Sequence, residues 1–497
     1  MSFFIRAVPA FGCALVLSGT EPGAAAAADS PKAPALPKIQ IAADGRTFVT
    51  TAGQPFVPFG VNYFRPGTGW APQVWKKFDA EATRQDFARM RELGVNCVRV
   101  FLTFGSFYTE AGKLSPDGLA KFDQFLALAE EAGIYAHPTG PDHWEGTPEW
   151  ARGDRIADEQ VLSALESFWR LFAARYRERN VIFAYDLLNE PEVRWDTAPM
   201  REKWNRWLQK KYGTVEKLAQ AWNVTNRTFS LGGVSVPPPK DAPGNRELLD
   251  YQHFREHIAD EWTRRQVGAI KAADPRALVT VGFIQWSVPA LLPGLQHYAA
   301  FRPERQSPLL DFLEIHFYPL AKGFYEYAGV EEETRNLAYL ESVVREVARP
   351  GKPVVIAEFG WYGGGKPTID QGRHPFASEA QQAQWCRRAV ETTTGLATGW
   401  LNWGFFDHPG ARDVTEFIGL LTSDGKLKGW GREFQELAAR FKAKAIPPAK
   451  LGERPALDWD QCLTSLAAGN EFRRQYLESF KNTREQSEPS GKTGRSK

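Results

Sequence analysis

Eight short β-type runs recur along this chain: VPFGVNYF (57–64), NCVRVFL (96–102), GIYAHPTG (133–140), FAYDLLNEP (183–191), LVTVGFIQ (278–285), FLEIHFYP (312–319), PVVIAEFG (353–360) and GWLNWGFFD (399–407). Between them lie segments with helical apolar spacing, among them DAEATRQDFARMRELG, SPDGLAKFDQFLALAEEAG, DEQVLSALESFWRLFAARYRER and SEAQQAQWCRRAVETTTG. Several of these stop at the glycine expected just past a helix C-terminus. The strand runs are almost continuously apolar, as strands buried on both faces must be, and strand–helix alternation makes neighbouring strands parallel. Eight such units closing on themselves form a (β/α)8 TIM barrel, an α/β fold whose working face lies at the C-terminal ends of the strands. Ahead of them, Asp44-Gly45 and Ala52-Gly53 separate short strands and predict an N-terminal β-hairpin.

Two of the eight runs end on a carboxylate. In YDLLNEPEVRW (185–195) an apolar strand stops at Asn189-Glu190-Pro191, and the proline forbids further pairing. In PVVIAEFGW (353–361) a second apolar run ends on Glu358, followed by an aromatic residue and a glycine turn. A lone glutamate at a strand end is commonly a solvated turn residue. Two in matching context, on the fourth and seventh strands of a closed barrel, face one another across its mouth. Such a pair can cleave a glycosidic bond, one carboxyl protonating the leaving oxygen and the other attacking from the opposite face of the sugar.

The rest of the sequence narrows the setting. The chain has 497 residues, 43% hydrophobic and 24% charged, ordinary for a globular protein of one large or two medium domains. The formal net charge is +2 with Lys and Arg dispersed, so nothing suggests a nucleic-acid surface. The 17 Trp, 14 Tyr and 33 Phe exceed what a core of this size needs, and indoles on loops offer flat faces on which sugar rings stack. Residues 1–28 have the order of a secretory signal peptide, with a short apolar run from Ala7 to Leu17 broken by Pro9 and Gly12 and small residues to Ala28. A secreted or periplasmic protein, with no membrane partner after cleavage, is expected. Cys13 is a poor match to a lipoprotein site, and Cys97, Cys386 and Cys462 read as buried small hydrophobes, with a single disulfide left open.

The domain plan that follows is a linker over 29–38, a catalytic barrel over 39–445 and an extension over 446–497 with a disordered polar end. An insertion at about 195–246 combines a helical stretch, MREKWNRWLQKKYGTVEKLAQAWN, with a proline-rich loop, VPPPKDAPGN. His253 and His257, in HFREH, have the spacing of a metal pair but lack the glutamate of HExxH, and read as one polar helix face.

On these motifs the chain resembles the clan of barrel glycoside hydrolases typified by glycoside hydrolase family 5, the cellulase and mannanase family, over roughly residues 39 to 440. The resemblance implies Glu190 as acid/base and Glu358 as nucleophile, with Asn189 on the sugar 2-hydroxyl. It further implies Arg99 as the residue that orients the nucleophile and keeps it ionised, Tyr318 in contact with it, and His316 beside it. On alternation alone Glu314, His316 and Tyr318 share one face. Trp403 matches the tryptophan at the floor of the site. For the strand-three histidine, His143 in GPDHWEG is preferred to His137. Trp144, Trp361, Trp70 and Trp286 follow strands three, seven, one and five and are candidates for sugar stacking or for packing. Glu192 reads as a solvated neighbour of the acid.

The stretch WNRWLQKKYGTVEKLAQAWN departs from plain endo-acting cellulases and resembles the related family 42 β-galactosidases. The expected function is therefore a retaining β-glycosidase on a β-1,4-mannan or β-1,4-glucan, with an exo-acting β-galactosidase or β-mannosidase as the alternative. No metal or organic cofactor is needed, and the partner is a carbohydrate. A non-catalytic sugar-binding barrel would have lost a glutamate, and a metal-dependent or Schiff-base barrel would need His/Asp clusters or a lysine at strand ends, which the eight runs lack.

Overall fold

The computed structural model describes residues 35–487, apart from 69–72, 225–227, 291–293, 295–296, 320–326, 328, 369–373, 412–413 and 450–451. The expected signal peptide, Cys13 and Trp70 lie outside the described residues.

Eight parallel strands close into a barrel: β4 (Phe59–Asn62), β5 (Cys97–Thr103), β6 (Tyr135–Asp142), β7 (Tyr185–Asn189), β8 (Val279–Phe283), β9 (Leu313–Phe317), β10 (Val354–Phe359) and β11 (Gly399–Asn402), with β11 pairing back onto β4. Each of the eight runs supplies one strand. β6 continues two residues beyond its run to Asp142, and β11 stops at Asn402, where Gly404 turns the chain with φ 89°.

Helices lie where the spacing places them, and their ends are set by side-chain caps. Asp79 accepts from the Ala82 N–H ahead of Ala80–Glu92, and Ser115 caps Pro116–Ala132, which ends on Gly133 at φ 72°. Ser378 and Gln381 form a reciprocal capping box at the start of Glu379–Thr393.

The amino-terminal hairpin gains a third strand. β1 (Ile39–Ile41), β2 (Phe48–Thr50) and β3 (Pro55–Phe56) make an antiparallel sheet, its first turn held by Asp44 Oδ1 accepting from the Arg46 and Thr47 N–H groups. Its apolar face closes the barrel at the strand starts. Phe48 meets Phe183 and Phe312 edge-on, each at 5.2 Å, and Phe56 meets Tyr135 at 5.0 Å. With this end plugged, the mouth at the strand ends is left for function.

The inserted segment forms two helices, Ala198–Tyr212 and Val215–Trp222, and an irregular proline-rich stretch before the long helix Arg246–Ala273. Trp204 stacks with Trp207 and packs on Tyr251 and Phe254, while the indole of Trp222 and the hydroxyl of Tyr212 both donate to Asp250. His253 and His257 turn to different acids, Asp460 and Glu261, as a polar helix face would. Cys97, Cys386 and Cys462 are buried and free.

The carboxyl-terminal extension is helical over much of its described length. Of the polar end KNTREQSEPSGKTGRSK, expected to be disordered, residues 481–487 belong to the helix Leu466–Ser487, and 488–497 lie outside the described residues. Phe472, Tyr476 and Phe480, four residues apart, form a buried stripe, and Tyr476 donates to Glu341 of the helix Val330–Ala348. That anchored stripe, reinforced by Arg474 between Glu471 and Glu478, carries the helix past the point where its own polar sequence would sustain it.

Because Phe48 fills the closed end, Phe48→Ala is expected to cost roughly 3–5 kcal/mol of stability. Guanidinium unfolding of the two chains measures it, and a loss below about 1 kcal/mol would show that the sheet is not part of the core.

Candidate active site

The strand register shifts just before each glutamate. The pairing of β10 with β9 shifts between Ile356 and Glu358, and that of β7 with β8 shifts between Asp186 and Asn189. Such irregularities re-aim side chains, and here they break the strict alternation that would otherwise govern which face each acid takes. The Ala357 carbonyl at the first shift accepts from Asn62 Nδ2 at 2.8 Å. Glu190 stands just past the second with φ 45°, its N–H donating to the Gly282 carbonyl at 2.9 Å.

Arg99, fully buried on β5, gathers these strands. Its Nη1 donates to Glu358 Oε1 at 2.7 Å and Asn62 Oδ1 at 2.9 Å, and its Nη2 to Asp186 Oδ2 at 2.7 Å and Asn189 Oδ1 at 2.9 Å. Burial alone would lower the Arg99 pKa, but Asp186, Glu358 and Glu314 together raise it, so the guanidinium is charged throughout. Asp186 also accepts from the Thr139 hydroxyl and the Gly282 N–H. A Cβ at Gly282 would lie 3.0–3.1 Å from Asp186 Oδ2, Arg99 Nη2 and His316 Nε2, so the cluster needs glycine there.

The other predicted residues divide into those that touch the acids and those that do not. Tyr318 donates to Glu358 Oε2 at 2.9 Å. His316 Nδ1 stands 3.0 Å from Glu190 Oε1 and 3.5 Å from Glu358 Oε1, and burial lowers its pKa, so the neutral ring donates from Nδ1. His137 is buried against Glu314 at 2.5 Å, with its other nitrogen on the Ala184 carbonyl at 2.9 Å. His143 is half exposed at the rim, within 3.0 Å of Asp142 and 3.3 Å of Arg155. Neither histidine lies within hydrogen-bond reach of Glu190 or Glu358.

Trp403 packs edge-on to Phe101, whose other neighbours are Trp144, stacked at 4.8 Å, and the Arg99 guanidinium, at 4.9 Å from the ring centre. These rings make an apolar floor beside the charged cluster. Trp286 donates to the exposed Glu192 at 2.8 Å. Trp361, a candidate for stacking or for packing, is buried and packs against Tyr362 and His374.

One oxygen of Glu190, one of Glu358 and a ring nitrogen of His316 lie within 4.8 Å of one another. The trio has the composition of a cation site, yet Arg99 already supplies the counter-charge of Glu358. Glu190 keeps 28% of its side chain open to the mouth but is ringed by protein, and desolvation, aided by Glu192 and Asp142 against the pull of Arg99, raises its pKa to about 7. Burial also pushes Glu358 up, opposed by His316, Arg99 and the Tyr318 hydroxyl. The expected depression of Glu358 by its arginine is thus outweighed by desolvation. The site combines a carboxyl poised to give a proton at neutral pH with a second carboxyl fixed by two donors.

Sequence reasoning missed Asp186, Asn62 and Gly282. The signal for Asp186 was present, since a carboxylate inside a buried strand must find a partner.

Residues 49–407 match the model of the family described as "Cellulase (glycosyl hydrolase family 5)". Among curated proteins the chain is similar to a β-galactosidase of Thermus thermophilus, 26% identical over 317 residues, covering 59% of this chain and 45% of that protein. It is similar also to β-galactosidase BgaA of Thermus sp, 26% identical over 427 residues, covering 77% and 61%. The chain thus spans about half to three-fifths of the length of these relatives. Among solved structures it shares its fold with an exo-β-1,4-mannosidase from Opitutaceae bacterium strain TAV5 (19% identity, 81% of this chain and 62% of that one, TM-score 0.56). It shares it likewise with a GH5_18 protein of Streptomyces cattleya in complex with Manβ1-4GlcNAc (18%, 86% and 92%, 0.58) and a β-galactosidase from Halorubrum lacusprofundi (18%, 80% and 59%, 0.61).

A carboxyl whose folded pKa is raised binds its proton more tightly in the folded chain. The stabilisation is present below the unfolded value of 4.5 and is lost as pH rises through about 7. Glu190→Gln is therefore expected to stabilise the protein at pH 8, by at most about 3 kcal/mol, and to change little at pH 4. Thermal unfolding of both chains at the two pH values measures this.

Proposed function

This chain belongs to glycosyl hydrolase family 5, and from that premise we propose that it is a retaining β-glycosidase that removes a terminal sugar from a short β-mannoside or β-galactoside. The observation that carries the reading is the separation of the acids, with one oxygen of each inside 4.8 Å. Carboxyl groups about 5–5.5 Å apart leave no room for a water and make the second group the nucleophile, whereas inverting pairs stand about 6.5–9.5 Å apart.

In this mechanism Glu358 attacks the anomeric carbon, its oxygens held by Arg99 and Tyr318. Glu190, protonated near neutrality, gives its proton to the departing oxygen. Esterification of Glu358 removes a negative charge within 4.8 Å of Glu190, which favours the ionised form of Glu190 just when it must take a proton from water. With Asn189 Oδ1 taken by Arg99, the Asn189 amide NH2 is the group left to donate to the 2-hydroxyl. The partly exposed Trp144 ring, backed by Phe101 and Trp403, offers the apolar face of the sugar a surface.

The sugar and the exo mode are supported by the names of the relatives, β-galactosidases and an exo-β-1,4-mannosidase. The inserted helices also support them, since they begin just past Trp195 on the loop that carries Glu190. The family's description as a cellulase keeps a β-1,4-glucan or β-1,4-mannan polymer as the second reading.

A panel of aryl β-mannosides, β-galactosides and β-glucosides with soluble β-mannan and β-glucan, assayed with the wild type and Glu358→Ala, tests this. Cleavage of a mannoside or galactoside is expected, with a loss of at least about 10³-fold in the variant. The basic limb of kcat/KM should fall near pH 7, because the free enzyme needs Glu190 protonated. Full activity in the variant would remove Glu358 from the mechanism, and cleavage of polymer alone would transfer the substrate to the second reading.

A further inference from the structure

Glu190 occupies a left-handed conformation, φ 45°, that a residue with a Cβ keeps only where its surroundings over-determine it. Its own N–H is fixed to β8, and after Pro191 and Glu192, whose carboxylate accepts from Trp286, the next backbone anchor is Val193. The Val193 N–H donates to the Ala299 carbonyl at 3.1 Å, and the Val193 carbonyl accepts from Arg255 Nη2, a residue of the long helix Arg246–Ala273. The same Nη2 donates to the Tyr298 carbonyl at 3.1 Å, in the loop after β8, next to a second non-glycine residue with positive φ, Ala300 at 70°. Arg255 Nη1 is held by Gln252 of its own helix at 2.9 Å, and the guanidinium lies 4.8 Å from the Trp195 ring centre.

This arginine is 4% exposed and makes no ion pair among the described residues. Burial brings its pKa down to about 10, so it stays charged at neutral pH with carbonyl dipoles and an indole face in place of a carboxylate. A guanidinium buried on those terms is suited to one task, holding two backbone segments in a fixed planar relation, which a lysine ammonium cannot reproduce.

We propose that Arg255 is a positioning residue for Glu190: by tying the Val193 carbonyl to the Tyr298 carbonyl it fixes the segment after Glu190 and with it the direction from which the carboxyl meets the departing glycosidic oxygen. The proposal rests on the reading of Glu190 as the acid. It assigns Arg255 no contact with substrate. A residue that only glued the inserted helices to the barrel would affect every substrate alike, whereas one that aims the acid matters only where the leaving group needs a proton.

The test compares Arg255→Gln and Arg255→Lys with Glu190→Gln on dinitrophenyl and phenyl β-glycosides of mannose, galactose and glucose. The dinitrophenolate departs without protonation and the phenolate does not. Arg255→Gln is expected to lower kcat/KM for the phenyl glycoside by about 10–100-fold while leaving the dinitrophenyl glycoside within about 3-fold, with Arg255→Lys between it and the wild type. Equal losses on both substrates, or no loss, would overturn the proposal. If Glu190→Gln discriminates between the leaving groups and Arg255→Gln does not, only the role of Arg255 falls. If Glu190→Gln fails to discriminate, the assignment of the acid falls and this proposal with it. A crystal structure of Arg255→Lys gives a readout independent of turnover: Glu190 should leave the left-handed region, and an unchanged φ there would refute the positioning role.

Discussion

A single buried guanidinium organises the mouth of this barrel. Arg99 on β5 reaches Asn62 on β4, Asp186 and Asn189 on β7 and Glu358 on β10, so one side chain touches strands from around the closed sheet. Two carboxylates and two amide oxygens surround it, and none of these groups could be buried there without it. The cluster also dictates its own lining. Gly282 gives it room, Thr139 and the Gly282 N–H complete the shell of Asp186, and Asn62 ties off a carbonyl where β10 shifts register.

From that fixed charge the two acids acquire different characters. Glu358 sits in direct contact with the guanidinium and accepts from Tyr318, so burial is partly offset. Glu190 feels Arg99 only at a distance, accepts from a neutral His316, and has Glu192 and Asp142 nearby to disfavour its charge. Burial raises both carboxyls, and their surroundings differ: Glu358 is opposed by His316, Arg99 and Tyr318, whereas Glu190, pulled down by Arg99 alone, is pushed to about 7 with Glu192 and Asp142 adding to desolvation.

Much of this was legible in the sequence, for a physical reason. Strands buried on both faces read as apolar runs, so a carboxylate ending one stands out, and Glu190 and Glu358 were visible on that ground; Arg99 was reached through the family resemblance, and His316 through alternation and that resemblance. Alternation works for β9, where Glu314, His316 and Tyr318 all point inward. It fails in β7 and β10, because the pairing shifts before Asn189 and before Glu358 leave no mark in the residue types. Asp186 was overlooked although it partners Arg99 more closely than any residue singled out on its strand. Residue type left Trp361 open between stacking and packing, and its contacts are with Tyr362 and His374. The helix that continues to Ser487 owes its last turns to a stripe ending at Phe480, a tertiary effect that local polarity conceals.

The central claim, that Glu358 is a nucleophile fixed by Arg99 and faced by a protonated Glu190, is tested most directly by trapping its ester. A dinitrophenyl glycoside of the accepted sugar, with fluorine in place of the 2-hydroxyl, slows hydrolysis of the glycosyl-enzyme more than its formation. Mass spectrometry of the intact protein is then expected to show one added fluoroglycosyl group, and peptide mapping to place it on Glu358. A label on Glu190 or any other residue, or steady turnover with no covalent adduct, would contradict the account.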